Sequence, residues 1–172
     1  MKLLLHNEEF AKPLLEKLFE SVNNHKDKDG KIEIYISSNG GKLSVLHAAL
    51  NLINSNPEIF KIVGYAYLYS SAFEFYMCSL CEKILLPMTS GMFHLSYSSI
   101  YLNDRNKPNF ASDVSEMEKN KKFYYPHSQN IMKLCEFTNT EIKKVNRGYD
   151  LYVQFDRMKE MEAAYIKNFL SN

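Results

Sequence analysis

Hydrophobic positions change period several times along the chain. Over residues 8–22, Phe10, Leu14, Leu15, Leu18, Phe19 and Val22 recur at intervals of about three and four, which predicts an amphipathic helix. In KIEIYIS, residues 31–37, the pattern turns to strict alternation, with Ile32, Ile34 and Ile36 on one side, and predicts a strand. The turn SSNGG follows. Leu43, Leu46, Ala49, Leu50 and Ile53 then mark a helix over 42–55, stopped by Asn56-Pro57. Residues 59–69 read as a second strand and 71–81 as a second helix. KILL (83–86) and MFHLS (92–96) read as short strands. A long helix is expected from about 112 to 136, with two more near 139–147 and 156–170.

Strands and helices alternating through short turns indicate βαβ units on a largely parallel sheet, so the class is α/β. There is no internal repeat, and neither polar stretch (23–30 or 103–113) is long enough to separate domains. Residues 1–172 are expected to form one domain. At 172 residues and 45% hydrophobic, the chain can bury a substantial core.

Charge narrows the partners. A formal net charge of +1 gives no broad basic field, so nucleic acid is not expected. The lysines at Lys119–Lys122 read as a solvated helix face. No apolar run approaches the ~20 residues of a membrane span. The start, MKLLLHNEEF, is too short in its apolar part for a signal peptide, so a cytoplasmic protein is expected. Three cysteines, an odd count, argue against a disulfide framework. Cys78 and Cys81 are spaced C-x-x-C but fall in the predicted helix and read as buried thiols, with no metal site implied. Twelve tyrosines and eleven phenylalanines are enough to place aromatics in an interface, which points to an oligomer.

In a parallel sheet, sites form at the carboxyl ends of strands. Three segments converge there: SSNGG, YSSA and the strand that carries His94. A serine between strand and helix can expose its oxygen at the positive end of the helix dipole. His94 offers a base, and Gly40 and Gly41 offer backbone N–H groups that approach a substrate closely. Each feature also has a plain structural explanation: an N-capping serine, a core histidine, an ordinary turn.

The segments KIEIYISSNGGKLSVLHAALNLINSNP (31–57) and LPMTSGMFHLS (86–96) resemble the proteolytic subunit of the Clp protease, in the ClpP/crotonase-like superfamily. In the second segment Pro87 and His94 keep the family's interval between proline and catalytic histidine. The resemblance implies repeated β-β-α units with a protruding handle helix, here about 100–136, and a serine peptidase that needs no cofactor. Matching SSAFEFYM to the family's nucleophile helix puts Ser71 at the nucleophile, in preference to the adjacent Ser70. His94 is then the base, Asn146 or Asp150 the group that orients it, and Gly40, Gly41 and Ala72 the oxyanion and substrate-binding positions.

The sequence departs from the family at Asn39, which replaces a proline, and at Tyr67, Leu68, Tyr69, Phe73 and Glu74. Anchoring the match on Gly64 instead would put Leu68 at the nucleophile and imply a catalytically inactive assembly or scaffold subunit. The family further implies a peptide or unfolded-protein substrate and a homo-oligomeric ring, heptameric in the family. Docking of an unfoldase ATPase is not expected, because the short start lacks the family's axial-loop segment.

Overall fold

A computed structural model describes residues 1–25, 30–95, 122 and 125–171. The alternation seen in the sequence centres the core. Ile32, Ile34 and Ile36 on strand β2 (Ile32–Ser38) are fully buried, and Ile62 on β3 (Phe60–Tyr69) pairs with Ile34 in parallel register. Strand β1 (Lys2–His6) adds in parallel to β2, with Leu5 beside Ile36. No alternation marks this strand, because Leu3, Leu4 and Leu5 are all apolar although Leu4 is 66% exposed.

The expected helices are present with shifted ends. They are α1 (Lys12–Asn23), α2 (Leu43–Asn54) and α3 (Ser71–Cys78). Helix α3 stops at Cys78, so Cys81 lies beyond it rather than in the same helix. The thiols of Cys78, Cys81 and Cys135 are buried and unpaired in disulfides. Strand β4 (Glu82–Leu85) pairs with the first half of β3, and β5 (Ser90–Phe93) with its second half. His94 thus sits just past β5 rather than inside a strand.

Of the long helix expected over 112–136, residues 125–134 are helical and form α4; residues 112–121, 123 and 124 lie outside the described residues. So do the polar loop at 103–113 and the lysines at 119 and 121. Helix α5 (Asn139–Asn146) opens with a capping box between Thr138 and Glu141. Strand β6 (Leu151–Val153), which the sequence pattern did not predict, pairs antiparallel with β5, and α6 (Phe155–Leu170) closes the chain. The described sheet runs β1-β2-β3-β5-β6 with β4 beside β3. Every pairing except β5–β6 is parallel. No described helix is long and apolar enough to cross a membrane.

Candidate active site

Strand β3 hands over to α3 through Ser70, whose backbone lies at φ 53 and ψ −124. A side chain there is strained, and strain of this kind persists only where the surroundings enforce it. Two hydrogen bonds do so. The Ser70 N–H donates to the Met92 carbonyl at 2.8 Å, and the Ser70 carbonyl accepts the Glu74 N–H at 3.2 Å. One bond belongs to the β3–β5 ladder and the other to the first turn of α3, so the sharp turn falls on the residue between them.

The turn carries the Ser70 hydroxyl to 2.8 Å from His94 Nε2. His94 Nδ1 in turn lies 3.3 Å from Asp150 Oδ1. The meeting of His94 and Asp150 follows from register. Phe93 pairs with Leu151 across β5 and β6, both facing the core. The next residues outward, His94 and Asp150, therefore face each other on the opposite side of the sheet. Both are partly solvated, with side chains 37% and 45% exposed.

The serine beside His94 is thus Ser70, where Ser71 was expected. Ser71 is 1% exposed, and its hydroxyl donates to the Gly41 carbonyl at 2.9 Å, tying the start of α3 to the turn after β2. Ala72 is fully buried one residue further into the helix. Leu68, the nucleophile position under the alternative match, points into the core at 0% exposed. Asn146 lies at the end of α5, where its Oδ1 accepts from Gln129 Nε2 at 3.2 Å. Between the two candidates for His94's partner, the structure brings Asp150 to the imidazole.

Gly40 and Gly41 pack where no side chain fits. A Cβ on Gly40 (φ +98) would lie 2.7 Å from the Tyr69 oxygen, 2.8 Å from the Ser71 nitrogen and 2.9 Å from Ser70 Cβ. A Cβ on Gly41 (φ +152) would meet the Phe10 backbone nitrogen at 2.5 Å. The glycine turn therefore lies directly against the Ser70 turn. Phe10 N–H holds the Gly40 carbonyl at 2.9 Å, and in a trans peptide this sends the Gly41 N–H to the other side. Among the described residues, none accepts from the Gly41 or Ser71 N–H.

Two groups near the site were not singled out by sequence as a pair. Glu74, a carboxylate 1% exposed on the all-buried α3, meets His127 Nε2 of α4 at 3.1 Å. The His127 ring lies edge-on to His47 of α2 with centroids 4.7 Å apart. Burial, and secondarily the neighbouring His127, hold the His47 pKa below the ordinary 6.5, against an opposing pull from Glu74. Glu74 is thus satisfied despite its apolar sequence context. The tyrosines at 67 and 69 are also placed: they lie on the sheet face opposite Leu68, with rings 5.2 Å apart.

No protein-family model matches the chain, and no curated protein matches it. Solved structures do. A variant of ClpP1 from Listeria monocytogenes superposes with a TM-score of 0.68 at 17% identity, covering 94% of this chain and 86% of that one. A peptidase from Plasmodium falciparum gives a TM-score of 0.63 at 18% identity, covering 94% and 91%. At these identities the likeness is one of architecture, and the chain is a divergent example of the ClpP-like fold.

Proposed function

We propose that the protein is a serine peptidase of the ClpP-like type, with Ser70 as nucleophile, His94 as general base and Asp150 as the group that orients the imidazole. The observation that carries this reading is the continuous chain Ser70 Oγ–His94 Nε2–His94 Nδ1–Asp150 Oδ1, at 2.8 and 3.3 Å, set on a strained strand-to-helix turn. A serine hydroxyl is a weak nucleophile until an adjacent base takes its proton, and the base works best when a third group fixes its tautomer.

With its proton on Nδ1 towards Asp150, His94 presents the Nε2 lone pair to Ser70. Ser70 Oγ attacks the peptide carbonyl as its proton passes to Nε2. The developing oxyanion is met by the N–H groups of Gly41 and Ser71, the latter at the positive end of α3. The protonated imidazole then gives its proton to the leaving amine. Water, deprotonated by the same imidazole, releases the acyl group. This chemistry needs no cofactor. The likeness to a peptidase supports a peptide substrate, and self-association into a ring belongs to the same proposal.

Hydrolysis of a quenched-fluorescent peptide library by the full chain tests the reading. Ser70→Ala and Asp150→Asn should each lower kcat by about a thousandfold or more. Ser71→Ala, at a position whose backbone alone is used, should retain activity. A folded protein that cleaves no peptide, or whose activity survives Ser70→Ala, would contradict it.

A further inference from the structure

The triad does not account for the tyrosines next to it. Tyr69 immediately precedes Ser70. It pairs with Met92 across β3 and β5, and Met92 pairs with Tyr152 across β5 and β6. Met92 is two residues before His94 and Tyr152 two after Asp150, so Tyr69, Met92 and Tyr152 share the sheet face of the His94–Asp150 pair, about 7 Å further along the strands. On that face the Tyr69 and Tyr152 rings meet edge-on at 5.8 Å and 88°, and the Tyr67 ring lies 5.2 Å from Tyr69. Tyr69 is held in place by its hydroxyl, 3.2 Å from Ser90 Oγ. Tyr152 is 57% exposed, so the cluster is fixed at its centre and open at its edge.

We infer that Tyr67, Tyr69 and Tyr152 form a wall that receives the side chain flanking the scissile bond and favours an aromatic ring over a saturated one of the same size. The inference rests on the triad reading above. An open aromatic cluster rewards a further ring beyond the area it buries, because ring edges and faces complement each other. That surplus corresponds to about twofold to tenfold in rate. A lysine or arginine head at so open a site would gain only about twofold to fivefold and would keep most of its water.

The test uses three fluorophosphonates with the same leaving group, carrying ethyl, phenylpropyl or cyclohexylpropyl substituents. Ser70 Oγ attacks phosphorus and fluoride leaves, and the second-order labelling rate at Ser70 is read by mass spectrometry. The phenylpropyl probe should react at least about twofold faster than the cyclohexylpropyl probe. Tyr152→Leu should bring that ratio to about one, and Tyr152→Phe should keep it. An equal ratio in the native chain, or a ratio that Tyr152→Leu leaves unchanged while ethyl labelling proceeds, overturns the wall and spares the triad. Tyr152→Leu that instead lowers the sedimenting mass and leaves the ratio intact assigns the face to a second copy of the chain, and also overturns the wall. Failure of the ethyl probe to label the folded chain removes the triad, and the wall with it.

Discussion

At Ser70 the backbone occupies φ 53 and ψ −124, a conformation that glycine adopts freely and serine does not. Ser70→Gly should therefore stabilise the fold by about 1 kcal/mol while abolishing reaction with serine probes, a trade that chemical denaturation and labelling together would reveal. Ser71 should behave in the opposite way. Its buried hydroxyl bonds the Gly41 carbonyl at 2.9 Å, so Ser71→Ala should cost about 1 kcal/mol and leave labelling intact. Gly40→Ala would drive a methyl to within 2.9 Å of Ser70 Cβ and closer still to the Tyr69 and Ser71 backbone, and should cost about 1–3 kcal/mol while displacing the Ser70 hydroxyl from His94.

The two serines also show where sequence reasoning stops at this scale. Both precede an apolar helix, both have the same side chain, and nothing local decides which one takes the positive φ. That is decided by long-range pairing, through the bond from Ser70 N–H to the Met92 carbonyl. The glycines were easier to read, because two of them in succession after an alternating strand mark a close approach that only their lack of a Cβ permits.

Among the elements, α3 is the one on which the site depends, since every residue from Ser71 to Cys78 is buried. Its carboxylate, Glu74, is compensated by His127 of α4 at 3.1 Å. His127→Ala would leave the buried Glu74 side chain without its partner at 3.1 Å and should cost about 1–3 kcal/mol. Glu74→Gln with His127 intact should cost less, and denaturation midpoints of the two variants check the order.

His47, against the same pair, adds a pH dependence. Its folded pKa lies below 6.5 because burial disfavours the imidazolium. The stability gained by keeping it neutral is therefore complete above about pH 6.5 and is lost as pH falls through the lowered folded value. Unfolding free energies measured at pH 7.5 and 5.5 should differ less in His47→Gln than in the native chain.

Element prediction succeeded where the period was long and clean, as for α1, α2 and β2. It failed at β6, whose three residues are too few to show alternation. Because β6 sets the register that delivers Asp150, missing that strand left Asn146 and Asp150 undecided.

For the whole molecule, the parallel order of β1, β2, β3 and β5 collects the ends of β2, β3 and β5 at one edge, and the antiparallel β6 brings its own beginning there. Four segments far apart in sequence thus contribute the glycine turn, the serine, the histidine and the aspartate. The alternation of strands and helices, and the likeness of residues 31–57 to the Clp proteolytic subunit, made this architecture legible in the sequence. The superposition on ClpP1 at a TM-score of 0.68 bears out that part of the reading. The arrangement of the site was less legible, because it depends on side-by-side registers that no single segment encodes.

The most direct measurement is labelling of the folded protein with a fluorophosphonate, followed by mass-spectrometric mapping of the modified residue. Modification is expected at Ser70, abolished by His94→Ala and retained in Ser71→Ala. Modification at Ser71, or no modification of a chain shown to be folded, would contradict it.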